Sequence, residues 1–281
     1  NNTASAGAIE FTGPITLADT SSDSVTIDAD QHANTTVTFN STATVNAATS
    51  GGQSLTIDTE SGAIAMQGAI GGSTALSALT VNSSGAGTVE INNIGTSSAA
   101  GVTGATAIGN TNTGTLTLDG TVYTTNAATY TAATGGGNID ITGAATFTTS
   151  ADNIAFNTSG VDLGANVAIT TGTGTDAGTV SFGGAIEAGT AGQETLTIDS
   201  GAGNVTFTGA IGLTNALGGL NVNATSGDGA GTITFSNDIG DSSAGVKGTT
   251  AVGNSATAGI VFSEDTYTFD TGATTFTAIS S

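Results

Sequence analysis

The chain has no cysteine and no tryptophan, and among its 281 residues there is one histidine, one proline, one methionine and a single basic side chain, Lys247. Without cysteine there is neither a disulfide framework nor a thiolate metal site, and sulfur gives no indication of compartment. Against the one Lys stand 22 Asp and Glu, for a formal net charge of -21 at pH 7. Nucleic acid is bound through Lys and Arg that displace counterions from phosphates, so this balance argues against it as a partner. It argues equally against an anionic membrane surface, which attracts basic segments. No run of 18 apolar residues occurs, so no segment inserts in a membrane as a spanning helix. The sequence opens Asn1-Asn2-Thr3, with no Met and no basic-then-apolar leader, and reads as a processed product or a segment of something longer.

Scarce aromatics and small side chains raise the question of disorder. The answer lies in the pattern, because apolar residues alternate strictly with polar ones along most of the chain, which disordered low-complexity sequences do not do. Thr, Val, Ile and Gly abound, while the Lys, Arg and Glu that favour exposed helices are sparse. The class is all-β.

The chain also repeats itself. QSLTIDTESGAIAMQGAIGGSTALSALTVN, from Gln53, matches QETLTIDSGAGNVTFTGAIGLTNALGGLNVN, from Gln193. Leu55 falls on Leu196, Ile70 on Ile211 and Leu79 on Leu220, all at one constant offset. After a short insertion the offset grows slightly, with Gly109-Asn110 on Gly253-Asn254 and Tyr123 on Tyr267. The segment AIEFTG at Ala8–Gly13 is similar to NIDITG at Asn138–Gly143. Two units are expected, residues 1–136 and 137–281, forming one continuous solenoid.

Inside each unit a shorter period recurs. Strand-like pieces such as LTID at Leu55 and LTVN at Leu79 follow one another at nearly the same spacing as IAMQ at Ile64 and VEIN at Val89. Two strands per period of about 24, separated by Gly, Ser and Asn turns, fit one coil of a parallel β-solenoid. One coil covers its inward Val, Ile, Leu and Phe only when a neighbour stacks on it, so stability accrues by stacking. Roughly 12 coils at about 4.8 Å each are expected, about 55–60 Å of stack. The competing β-sandwich calls for tight Asn-Gly or Asp-Gly hairpins, and only Asp119-Gly120 and Asp228-Gly229 occur. Many strand pieces end in Asp or Asn, among them Asp28, Asp58, Asn82, Asn92, Asp199 and Asn223, residues suited to a recurring left-handed corner.

The paired segments Gly62–Ser83 and Gly203–Ala224 share Gly-x-[Val/Ile]-x-[Phe/Met]-x-Gly-Ala-Ile-Gly followed by Ala-Leu-x-x-Leu-x-Val-Asn. With the tyrosine segments around Tyr123, Tyr130 and Tyr267, this pattern resembles the tandem repeats of large secreted bacterial surface proteins, the filamentous-haemagglutinin-like exoproteins and giant adhesins. The resemblance implies a right-handed parallel β-helix, secretion to the cell surface, and a role in attachment or in an extracellular fibre. It covers about two-thirds of each unit and includes no secretion-recognition domain or C-terminal anchor. The chain would then be shaft rather than tip.

Catalytic chemistry has few parts to work with. His32 lies in a polar turn and has no counterpart in the second copy, and Lys247 aligns with Thr103, so both read as surface residues. Paired carboxylates can hydrolyse glycosides, but a groove for acidic polysaccharide calls for basic and aromatic side chains. No catalytic residue is assigned and the chain is read as a non-enzyme. Calcium is the ionic candidate, through oxygen ligands in acidic turns at Asp28 and Asp30, Asp238 and Asp241, and Glu264 and Asp265. Neither an EF-hand loop nor the acidic-glycine nonapeptide of calcium β-rolls is present. Outward Thr-x-Thr pairs, such as Thr36/Thr38, Thr115/Thr117, Thr146/Thr148 and Thr206/Thr208, raise an ice-binding array as a further reading. The expectation is a structural shaft of a secreted adhesin or fibre, its partners being itself or adjacent repeats end to end. A module that holds surface glycans or a receptor is the alternative.

Overall fold

The computed structural model describes residues 7–18, 23–29, 34–82, 84–225, 231–270 and 272–279. Asp30, His32 and the Asp228-Gly229 pair lie outside the described residues. Two compact units divide the chain, Asn1–Ile139 and Asp140–Ser281. Each is a parallel β-solenoid built from strands of three to six residues, with no helix among the described residues.

Three ladders run through the first unit. One stacks Ala8–Phe11, Thr36–Phe39, Ile64–Met66, Val89–Ile91 and Leu116–Leu118. A second stacks Ser24–Ala29, Ser54–Thr59, Ala78–Val81, Thr106–Ile108 and Ala128–Thr131. The third begins as Ile15–Leu17 on Val45–Ala47 and continues through single bridged residues, Val45 to Ile70 to Ile94 to Tyr123.

The second unit repeats this plan. Its ladders are Ile154–Asn157, Val180–Phe182, Val205–Phe207, Thr232–Phe235 and Gly259–Phe262, then Thr146–Thr148, Val167–Gly172, Thr195–Ser200, Gly219–Val222, Thr250–Val252 and Thr274–Phe276. Its third ladder pairs Gly160–Leu163 with Ala185–Ala188 and goes on through Ile186, Ile211, Ile239 and Tyr267. Sequence-equivalent residues thus take equivalent places: Ile70, Ile94 and Tyr123 in one unit correspond to Ile211, Ile239 and Tyr267 in the other.

Two expectations need correction. A turn carries three strand positions rather than two, and at Ile70, Ile94, Ile211 and Ile239 the third narrows to one bridged residue that alternation cannot signal. The solenoid has about ten turns rather than roughly 12. The shortest described advances carry the register from Thr106 to Ala128 and from Thr146 to Ala168, whereas a long one runs from Ser24 to Ser54, so turns are on average longer than the expected period.

Inward residues form columns. In the second unit Phe156, Phe182, Phe207, Phe235 and Phe262 stack with ring centroids 4.9, 5.5, 5.0 and 5.2 Å apart and planes within 11° of parallel. In the first unit Phe11 stacks on Phe39 at 4.5 Å, and the column goes on through Met66, Ile91 and Leu118, all buried. Each buried side chain of this size contributes roughly 1.5–3 kcal/mol, and none of it is available to a turn standing alone.

The bridged residues explain the repeated Ile-Gly pairs. Gly71, Gly95, Gly212 and Gly240, each just after its column isoleucine, have φ between 65° and 74°. The chain therefore turns in the left-handed region that glycine enters without strain. A different constraint holds at Gly203 and Gly231, where an added Cβ would run into the carbonyl of Gly178 and of Gly203, one turn back.

Polar side chains tie turn to turn. The Asn46 Oδ1 accepts the amides of Ser73 and Thr74 at 2.9 and 3.1 Å. At the equivalent place the Glu187 carboxylate accepts those of Leu213, Thr214 and Asn215, the shortest at 2.7 Å. Asn93 does the same for Thr121 and Val122, and Asp238 for Thr266.

Of the expected Asx corners, Asn82 and Asn223 are left-handed, with φ of 55° and 46°, and buried. Asn110 and Asn254 each donate through Nδ2 to their backbone carbonyls at 2.7 Å, building an asparagine ladder in each unit.

Candidate functional site

Of the acidic residues singled out in the sequence, Asp30 lies outside the described residues and the others join no group of three. Asp28 is exposed at the end of its strand and faces Asp58 one turn on. The Asp58 carboxylate already accepts the Thr59 amide and the Ser84 hydroxyl. Asp238 accepts the Thr266 amide at 3.3 Å, while Asp241 donates its own amide to the Ser243 carbonyl and its carbonyl accepts the Thr268 hydroxyl. Glu264 and Asp265 are exposed, and the Glu264 amide donates to the Tyr267 hydroxyl at 2.8 Å. Among the described residues no three Asp, Glu, His or Cys side chains come together as a metal group. Lys247 is exposed and its stem lies over Gly192.

An acidic row that the repeat analysis missed lies on the second unit. Asp162 faces Glu187 across its ladder. Partial burial, and then the charge of Asp162, hold the Asp140 carboxyl above the ordinary aspartate range. A sequence signal for the row existed, since the acid is the third residue in each of NIDI, GVDL and AIEA. Two carboxylates raise one another's proton affinity when like charges crowd.

A groove of about 420 Å³ opens on the second unit, where the register slips between Thr170 and Gly172. Its polar lining is Thr170, Thr197, Asp199, Asn221, Asn223 and Thr225. Asn223 is engaged, accepting the Ser200 amide at 2.8 Å and donating to the Ser200 hydroxyl. Hydroxyls, amides and a single carboxylate can exchange hydrogen bonds with a polar ligand such as a sugar, but no aromatic face lines the groove for stacking.

The threonine pairs do not assemble into a two-row array. Thr36 and Thr38 face Ala8 and Glu10, Thr117 faces Glu90, and Thr197 lies between Ala168 and Asn221. A single outward row does form in the first unit, Thr26, Thr56 and Thr80, and it is interrupted at Ala107.

Buried polar atoms mark the interior rather than a site. The Tyr123 hydroxyl accepts the Gly120 amide at 2.7 Å and donates to the Ile91 carbonyl at 3.0 Å, and burial raises its pKa. Comparison of the chain with protein-family models, curated proteins and solved structures finds no match, so the β-solenoid fold is what places it.

Proposed function

We propose that this chain is a non-enzymatic shaft segment of a secreted, cell-surface adhesin or extracellular fibre, of the filamentous-haemagglutinin-like kind that its repeats resemble. The observation that carries the reading is where the chemistry has gone. Large side chains are spent on continuous internal columns, and many polar ones on bonds between successive turns. What faces outward is small, hydroxylated and acidic. Such an object resists extension and stays soluble through its charge, and its work is to hold other domains away from a surface.

The groove beside Asn221 supports one second reading, a glycan-binding module. A glycan array and a reducing-end assay on acidic polysaccharides separate the two. The shaft predicts no saturable binding and no release of reducing ends. Saturable binding that is lost on Asn221→Ala would replace it with the glycan reading.

A further inference from the structure

The two units hold equivalent corners with different chemistry. In the first unit the acceptors are side-chain amides. Asn46 Oδ1 accepts the backbone N–H groups of Ser73 and Thr74 at 2.9 and 3.1 Å, and Gln53 Oε1 that of Ala48 at 2.9 Å. Asn93 Oδ1 accepts those of Thr121 and Val122 at 2.8 and 2.9 Å.

In the second unit a carboxylate stands at each of these places. Glu187 answers to Asn46 and Glu194 to Gln53, at the offset that carries Leu55 to Leu196. Asp238 answers to Asn93, each just ahead of its bridged isoleucine, Ile239 or Ile94. The contacts are kept. Glu187 accepts the amides of Leu213, Thr214 and Asn215, Glu194 that of Thr190 at 3.0 Å, and Asp238 that of Thr266 at 3.3 Å. A side-chain amide keeps its acceptor oxygen at any ordinary pH, whereas a carboxylate gives it up on protonation.

We infer that the second unit carries an acid-sensitive set of corner clips that the first unit lacks. Protonation of Glu187, with Glu194 and Asp238, frees the corners they hold, while the corners at Asn46, Gln53 and Asn93 stay closed. The inference goes beyond the shaft reading and does not depend on it.

Glu187 is the principal clip because both of its oxygens are engaged. Oε1 lies 3.1 Å from the Leu213 amide and 3.3 Å from that of Thr214, and Oε2 lies 3.2 and 2.7 Å from those of Thr214 and Asn215. A proton on either oxygen places an O–H donor where an N–H donor already points. The bonds that remain fall from charge-assisted to neutral strength. Two backbone bonds survive, from the Gly212 amide to the Ile186 carbonyl and from the Ala188 amide to the Asn215 carbonyl. Acid therefore loosens the corner, with its 41% exposed Leu213, without unwinding the ladder.

Charged neighbours bear on the size of the effect more than on its place. Asp162 faces Glu187 across the ladder, and Asp140 lies on the strand next to that of Asp162. Acid relieves the repulsion in this row, but it does so along the strands and supplies no acceptor to the corner amides. The corner Gly212–Asn215 brings no charge of its own. Beside the corner of Glu194 lies the stem of Lys247, over Gly192, and the adjoining strands Val167–Gly172 and Gly219–Val222 are uncharged. Asp241 shares the corner of Asp238, and Glu264 and Asp265 precede Thr266 in the segment facing it. Asp58 and Asp199 are acids in both units and accept a nearby amide in each, so that place adds no difference.

The test is NMR-detected amide hydrogen exchange of the full chain between about pH 7 and about pH 3, the range in which carboxyl groups titrate. Each rate is divided by that of an unstructured peptide at the same pH. Protection of Leu213, Thr214 and Asn215 should fall about five- to tenfold on acidification, and that of Thr190 and Thr266 by less. Ser73, Thr74, Thr121 and Val122 should keep theirs. Glu187→Gln should abolish the pH dependence at residues 213–215 and leave that of Thr190 in place. Equal loss at the corners of both units, no loss at residues 213–215, or a loss there that persists in Glu187→Gln overturns the inference. The comparison within the unmodified chain stands even where the variant fails to fold.

Discussion

Thr106 and Thr250 occupy inward slots, Thr106 between Leu79 and Ala128 and Thr250 beside Leu220. Both hydroxyl oxygens are buried, with no hydrogen-bond partner among the described residues. A hydroxyl desolvated without a partner is costly, and valine has nearly the same shape. Thr106→Val and Thr250→Val should therefore each be neutral or raise stability by about 1 kcal/mol in urea unfolding. Thr59 is the contrast, since its buried hydroxyl donates to the Gly62 carbonyl at 2.7 Å. Thr59→Val should cost about 1–2 kcal/mol. Sequence alone treats these three threonines alike, because alternation tells which way a side chain points but not whether a carbonyl waits for it there.

Asp140 gives a residue-scale effect that depends on pH. Its carboxyl is held above the ordinary range by partial burial and by the neighbouring Asp162. A raised carboxyl pKa means the folded state prefers the proton. Its stabilising contribution is complete below the unfolded value near about 4 and is lost as pH climbs through the raised value. Asp140→Asn should raise the melting temperature at pH 7 and leave it nearly unchanged near pH 3. The gain is roughly 0.5 kcal/mol or less, because much of the group remains in solvent.

At the scale of the element, the phenyl stack is the most exacting feature of the second unit. Phe207 lies between Phe182 and Phe235 at 5.5 and 5.0 Å. Phe207→Ala should cost about 3–5 kcal/mol, and Phe207→Leu should cost less, because it leaves a smaller cavity.

One strand of this stack was legible in the repeated segment Gly203–Ala224, where alternation turns Val205 and Phe207 to the same side. Their vertical partners were harder to read. Turn length varies along the chain, as the steps from Thr106 to Ala128 and from Ser24 to Ser54 show, so knowing that Phe207 points inward does not say which residue sits above it. The third position was invisible where it narrows, for a related reason. Ile70 and Ile94 are single bridged residues followed by a left-handed glycine, too short for a period of two to register. The acidic row of Asp162 and Glu187 depends on the same vertical register, and so escaped a reading that looked for acids close together in sequence.

For the whole molecule, composition foretold the class and the repeat foretold the stacking. Each unit meets its core requirement with small turns and internal columns, and its charge is almost wholly of one sign, 22 acidic residues against one Lys. The missing Cys, Trp and Arg had already thinned the chemistry available to a site, and among the described residues the candidate acids Asp28, Asp238, Asp241, Glu264 and Asp265 join no group of three, Asp30 lying outside them. What the repeat could not foretell is the polar groove beside Asn221, because a one-residue register slip at Gly172 leaves no mark in composition.

The proposed shaft would carry tension through its turns, so the most direct measurement is single-molecule extension of the chain between its termini. The account predicts a series of rupture events, with added contour length in steps of about 80–105 Å. Each step is the length released when one turn peels away, the step from Thr106 to Ala128 setting the short end and that from Ser24 to Ser54 the long end. Extension without rupture events, at forces that straighten an unfolded chain, would contradict it.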